Sequence, residues 1–263
     1  MTAVLELASV TRRFGGLIAV DAVNMGVPAG EIRGLIGPNG AGKTTLLNLI
    51  GGQLSPSSGK IVFNGAEVSR LRPDRRASLG ICRTFQNLKL FRDMKVLENV
   101  MIGLHAGTHA EVIQALLRTP GQRREEVRIV EASRRALTIV GLEDYGSQMA
   151  ASLAYGHRRL LEIARAIVSS PKLLLLDEPA AGLNIAEAAN LVRLIQRISA
   201  EGVTIILVEH HMDVVMTACH KITVLNYGRL LAEGSPEEIR EHPDVIEAYL
   251  GRGDLHAQIV ANA

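Results

Sequence analysis

The chain has 263 residues, with 29 basic and 27 acidic side chains for a formal net charge of +2; it is 47% hydrophobic and only 3% aromatic. That length allows one large domain or two small ones with a substantial core, and the apolar fraction excludes a disordered or collagen-like chain. A surplus of two positive charges does not argue for nucleic acid, and two isolated cysteines, Cys82 and Cys219, exclude a disulfide framework and any C-x-x-C zinc site, which points to a reducing compartment.

The first 35 residues read as short β-favouring runs: Val4 to Val10, Ala19 to Val27 and Glu31 to Ile36, broken at Gly15-Gly16 and at Pro28-Ala29-Gly30. Glu6 inside the opening apolar stretch argues against a signal peptide. A glycine-rich run, Gly37 to Thr45, leads into a helical segment from Thr44 to Ile50. After the Ser55–Gly59 loop comes a strand, Lys60 to Phe63, closed by Asn64-Gly65, a strong hairpin signal. From about Glu98 to Gly141 the texture changes: Val127, Val130, Leu137 and Val140 recur at helical spacing among Arg and Glu, predicting an amphipathic helix in an insert that ends near Ser152. The chain then alternates: helix Leu160 to Val168, strand Lys172 to Asp177, helix Ala186 to Ala200 with Gly202 as its stop, strand Val203 to Glu209. Strands apolar on both faces, alternating with helices, predict a parallel sheet covered on both sides. No apolar run approaches the roughly 18 residues a membrane span needs, so the chain is expected to dock on a membrane component rather than to enter the bilayer.

Gly37-Pro38-Asn39-Gly40-Ala41-Gly42-Lys43-Thr44 fits G-x4-G-K-S/T, the P-loop pattern, and follows an apolar strand as that motif requires. Its glycines let backbone N–H groups surround phosphate oxygens at the positive end of the next helix. Lys43 can reach the β- and γ-phosphates and the Thr44 hydroxyl can bind Mg²⁺, so the expected ligand is a nucleoside triphosphate with magnesium. Leu173 to Leu176 is a buried strand ending in Asp177 and Glu178. Ligands of such sheets lie at the carboxyl ends of the strands. Asp177 therefore suits a magnesium acid, bound directly or through water, and Glu178 a base for the attacking water; the plainer reading makes both caps of the next helix. His210 ends another apolar strand and could steady water at a γ-phosphate, and spacing alone does not separate it from His211.

Together with Leu153-Ala154-Tyr155-Gly156-His157, about twenty residues before the two acids, these segments resemble the ATP-binding subunit of an ABC transporter over nearly the whole chain. The resemblance implies an α/β P-loop NTPase (RecA-like) core with a parallel sheet, an antiparallel β-subdomain and an inserted α-helical subdomain, acting as an ATPase. It implies one nucleotide-binding domain over 1–263: about 1–86 the β-layer and the start of the core, about 87–159 the helical subdomain, about 160–263 the rest of the core and the C-terminal helices. It makes Phe14 the aromatic under adenine, with Val20 beside it, and extends the nucleotide-binding run from Gly37 through Thr45. Gln86 becomes a glutamine that senses Mg²⁺ and water and touches the membrane partner, and His210, rather than His211, becomes the switch histidine. In this family the 153–157 turn closes on the γ-phosphate held by a facing cassette, so ATP joins two such domains. Four positions depart from the family pattern. Ala154 and His157 replace Ser and Gln of the usual Leu-Ser-Gly-Gly-Gln, with the lost hydroxyl worth on the order of 1 kcal/mol; Asn184 replaces the usual Asp after Ala180-Ala181-Gly182-Leu183; His211 replaces an Asp.

Within the family, Phe14-Gly15-Gly16-Leu17, Arg83-Thr84-Phe85-Gln86-Asn87, the 153–156 and 180–184 segments and the tail His242-Pro243-Asp244-Val245-Ile246-Glu247-Ala248-Tyr249-Leu250-Gly251 are similar to the LivG-type branch of branched-chain amino-acid importers. That branch implies a second, LivF-like ATPase (or a homodimer), two membrane permeases, an external solute-binding protein, no nucleic acid, and a peripheral position on the cytoplasmic face of a bacterial-type inner membrane. A coupling helix of a permease would meet the arm near Asn87 to Val100. ATPases for urea or amide import and for lipopolysaccharide export share much of the pattern. A soluble non-transport ABC ATPase is the remoter alternative, since this chain carries one cassette and no sustained heptads.

Overall fold

The computed structural model describes residues 3–84, 90–105 and 120–250. Two sheets organise it. The first is antiparallel, in the order β2-β1-β4-β5, from β1 (Ala3–Phe14), β2 (Leu17–Pro28), β4 (Ser58–Phe63) and β5 (Ala66–Glu67). Gly15, with φ +57°, turns β1 into β2 so that Phe14 faces Leu17. Asn64 and Gly65, both at positive φ, make the tight turn that pairs Phe63 with Ala66, as the Asn-Gly signal predicts.

The second sheet runs β10-β9-β3-β8-β7-β6 and is built from β3 (Ile32–Ile36), β6 (Ile81–Arg83), β7 (Leu173–Asp177), β8 (Thr204–Val208), β9 (Lys221–Asn226) and β10 (Arg229–Gly234). The five strands from β9 to β6 are parallel and β10 is an antiparallel edge. Every residue of β3, β7 and β8 is buried, which is why these segments read as unbroken apolar runs rather than alternating ones. One face, with Leu35, Leu173, Leu175 and Ile206, packs with α1 (Lys43–Gly51) and the antiparallel layer. The other, with Leu174, Leu176, Ile205 and Leu207, packs with α6 (Ile185–Ala200) and α7 (Met212–Ala218). A short α2 (Pro73–Leu79) precedes β6, and α8 (Pro236–Glu241) and α9 (Pro243–Leu250) close the chain against β10.

The described part of the insert is helical as predicted: α3 (Val96–His105) and α4 (Pro120–Val140) pack on each other and on the next helix, α5 (Tyr155–Ile167). Its periodic residues divide differently from the expectation. Leu137 and Val140 are buried with Ala136, but Val127 lies 55% exposed. Apolar spacing at Val127 therefore does not mark a core. The helix expected to start at Leu160 begins at Tyr155, so it takes in most of the 153–157 segment. Among the described residues no helix is long and apolar enough to cross a membrane.

Candidate functional site

The carboxyl ends of the parallel strands gather the candidate residues. After Ile36 the chain enters the loop through Gly37, Gly40 and Gly42, at φ +147°, +82° and +100°. At Gly37 a Cβ would sit 2.1 Å from the Leu225 carbonyl oxygen, and at Gly42 2.4 Å from that of Ala19, so neither position admits a side chain. Ala41 is buried, and Ala41 and Gly228 are joined by a backbone hydrogen bond. Lys43 folds back over the loop, its Nζ donating to the carbonyls of Gly37 (2.7 Å) and Pro38 (3.0 Å). Burial lowers its pKa, while the charges of Glu178 and Asp177 act to raise it. Thr44 is exposed and Thr45 half-buried in the first turn of α1.

Helix ends distinguish two places. α6 is sealed by a capping box in which Asn184 Oδ1 accepts from Glu187 N (2.9 Å) and Glu187 Oε2 from Asn184 N (3.0 Å). α8 is sealed in the same way by Ser235 and Glu238. Among the α-helices whose N-caps are described, only α1 and α5 have neither a capping side chain nor an acid in the first turn. Their N–H groups and positive ends are left for an anion from outside.

At the end of β7, Asp177 is 1% exposed. Its Oδ2 accepts from Arg83 Nη2 at 2.8 Å, and Oδ1 has no hydrogen-bond partner among the described residues. That buried oxygen, with the exposed Thr44 hydroxyl on the neighbouring helix, is the hard-oxygen donor set that magnesium prefers, and it fits the ion. Glu178 adopts φ +49°, a strained value for a non-glycine residue, and its carboxylate lies 2.9 Å from His210 Nε2. Neither acid caps the following helix, since Asn184 does, so the plain capping reading of this pair is not what the fold adopts. His210 and His211 are separated by geometry: His210 meets Glu178, whereas His211 Nδ1 meets buried Glu209 at 3.3 Å.

Phe14 is 42% exposed beneath the Arg12 guanidinium, 4.6 Å from the ring centre, and so is not a core aromatic. Val20 departs from the expectation. It is wholly buried in the core of the antiparallel layer, so it has no exposed surface to offer a nucleotide. Gln86 lies outside the described residues. In the 153–157 segment Leu153 and Gly156 are buried, Ala154 and Tyr155 are exposed, and His157 packs edge-on to Tyr145. Tyr155 Oη donates to the Ala181 carbonyl at 3.1 Å, and a Cβ on Gly156 would meet Glu187 Oε1 at 2.6 Å. This turn is thus fastened to the loop that ends at Asn184, and it is not part of the Lys43–Asp177–Glu178–His210 cluster.

Three residues escaped the sequence reading. Arg83 opens the Arg83–Asn87 motif, in which the sequence points only to Gln86. Glu209, 2% exposed, accepts from Ala180 N (2.6 Å) and His210 N (3.1 Å), tying the loops after β7 and β8 together. Tyr249, on the tail helix, packs on the core and makes a hydrogen bond with the Gly37 backbone; burial pushes its phenol well above the usual range. The available signal was a charged residue at the end of an apolar strand, which cannot be buried without a partner.

Comparison with known proteins agrees with this geometry. A family model described as ABC transporter matches residues 20–181, and one described as branched-chain amino acid ATP-binding cassette transporter matches 229–254. The chain is 43% identical to BraF of Pseudomonas aeruginosa, a high-affinity branched-chain amino acid transport ATP-binding protein, over 94% of this chain and 98% of that one. It is likewise 43% identical to LivG of Escherichia coli K12, over 94% and 97%. Among solved structures, a nucleotide-free cassette from an ABC transporter superposes with a TM-score of 0.83 at 30% identity, covering 94% of this chain and 99% of that one. An ADP-bound conformation of an ABC transporter cassette gives 0.84 at 30%, covering 95% and 100%. A dimeric post-hydrolysis cassette bound to ADP and Pi gives 0.71 at 25%, covering 88% and 98%. The chain belongs to the ABC transporter family, as an ATP-binding cassette that hydrolyses ATP.

Proposed function

We propose that this chain is the ATP-hydrolysing subunit of an importer for branched-chain amino acids, acting as one nucleotide-binding domain. The observation that carries the ATPase site is the meeting of Lys43, Asp177 and the Glu178–His210 pair at one sheet edge beside the uncapped start of α1. The solute class is supported by the relatives' names and by the match of the 229–254 tail to the branched-chain cassette model.

The P-loop backbone and the α1 N-terminus receive the triphosphate, and Lys43 leaves its two carbonyl partners to meet the β- and γ-phosphates. Phe14 offers its exposed ring to the adenine. Asp177 Oδ1 and the Thr44 hydroxyl would hold Mg²⁺, which supplies charge neutralisation at the phosphates when bound. Glu178 takes the proton of the attacking water, and His210 Nε2 fixes the Glu178 carboxylate. The Ala154–His157 turn and the α5 N-terminus close on ATP held by a second cassette, either a LivF-like partner or another copy. The half-exposed ring of Phe91 supports reading the arm around it as the surface that meets two permeases, with the subunit peripheral at the cytoplasmic side of the membrane.

The test is reconstitution with a permease pair and an external binding protein. ATP turnover by the assembled complex is expected to rise with leucine-loaded binding protein and not with urea-loaded protein from an amide system. Equal stimulation by both, or by neither, would reject the assignment of solute.

A further inference from the structure

Arg83 ends β6, the edge strand, and pairs in register with Leu175 on β7. Leu175 and Asp177 lie two residues apart on one strand and so share a face. The Arg83 side chain needs only to lean one step along the sheet to meet Asp177, and it does, with Nη2 2.8 Å from Oδ2. Its other arm, Nη1, donates to Asn48 Oδ1 on α1 at 2.6 Å. The guanidinium is 10% exposed and the carboxylate 1%. A planar fork thereby spans the two elements that carry Thr44 and Asp177, and it uses one oxygen of the carboxylate while leaving the other without a hydrogen-bond partner among the described residues.

We propose that Arg83 is a positioning residue for divalent-cation binding: it ties Asp177 Oδ2 to α1 through Asn48, so that Oδ1 remains the oxygen available to the cation. The proposal rests on the reading of Asp177 as the metal acid. Its sign is not trivial. A guanidinium also repels a cation, so an arginine that merely neutralised a buried acid would weaken metal binding, and its removal would strengthen it. A residue whose role is orientation gives the opposite result, because partners that orient metal ligands typically contribute about 10- to 100-fold in metal affinity.

The experiment measures ADP affinity of the full chain by calorimetry in EDTA and in saturating Mg²⁺, and Mn²⁺ affinity in the presence of ADP by electron paramagnetic resonance. Arg83→Gln is expected to leave the metal-free ADP constant within about twofold and to weaken Mn²⁺ binding by about tenfold. Arg83→Lys, which keeps the charge but cannot span both partners, is expected to recover only part of it. Asn48→Ala, which leaves the Arg83–Asp177 pair in place and only the longer 3.3 Å contact to Gln53 Oε1 at the other end of the guanidinium, gives a smaller loss in the same direction and serves if the Arg83 variants fold poorly. Unchanged or tighter Mn²⁺ binding in Arg83→Gln, or an equal loss with and without metal, overturns the proposal. Asp177→Asn separates the two readings: if it too leaves Mn²⁺ binding intact, the assignment of the metal acid has failed, and with it the role of Arg83.

Discussion

The half-site at the end of the parallel sheet and the 153–157 turn are both built around a helix N-terminus without a cap, yet they are held in opposite ways. At the first, side chains project from strands that are buried throughout, and each is fixed by at least one neighbour: Asp177 by Arg83, Glu178 by His210, and the backbone around them by Glu209. At the second, the backbone itself is the functional surface, Ala154 contributes no cap, and the turn is held by Tyr155 and by the close approach of Gly156 to Glu187. On the proposed function, the first site carries the groups for chemistry within one chain, whereas the second offers backbone N–H donors to a phosphate that arrives from outside. Catalytic loss and loss of pairing should therefore map to different residues.

The largest effect is expected at Glu178. Glu178→Gln keeps the shape and the approach of His210 but removes the proton acceptor, so steady-state ATP turnover should fall by about 10²- to 10⁴-fold while ATP binding by filtration or calorimetry is retained. Retained turnover would move the base elsewhere. Next comes the loop. Gly37→Ala forces a Cβ against the Leu225 carbonyl in a conformation that L-residues avoid, so ATP affinity should fall by at least about tenfold, with thermal stability dropping by about 1–3 kcal/mol. A variant that binds ATP normally would show that the loop tolerates the shift.

A smaller effect tests the boundary between the regions. Asn184→Ala removes the cap of α6 and should cost about 1 kcal/mol in chemical denaturation, whereas Asn184→Asp, an equally good cap, should be close to neutral. This is also where the sequence was hardest to read. The P-loop, the paired acids and the Asn64-Gly65 turn were legible because local chemistry dictates them: glycines where φ must be positive, and carboxylates after an apolar strand. The parallel sheet was legible for the same reason. Arg83 and Glu209 were not, because their meaning depends on which strands become neighbours and which loops touch, a property of the fold rather than of spacing. Val127 misled for the converse reason: periodicity records which residues share a face, not whether that face is covered. Asn184, read from resemblance as a departure in the loop between sites, turned out to have a local role as well.

The smallest effect bears most directly on the comparison. Tyr155 Oη reaches the Ala181 carbonyl at 3.1 Å, and a Cβ on Gly182 would stand 3.0 Å from its ring, so the phenol latches the turn to the loop leading to Asn184. Tyr155→Phe keeps the ring and the Arg159 guanidinium that lies 5.7 Å from its centre, and it deletes two hydrogen bonds of the hydroxyl, the one donated to Ala181 and a longer one accepted from Arg159 Nη2 at 3.3 Å. Stability should change by less than about 1 kcal/mol. ATP affinity of the isolated chain should be unchanged, because the turn contributes nothing to the half-site beside Lys43. ATP-driven association, followed by light scattering in a Glu178→Gln background that prevents hydrolysis, should weaken by a few fold, since the donors that meet the second nucleotide lose a tether. An equal loss of ATP affinity in the isolated chain would mean that the two regions communicate within one molecule.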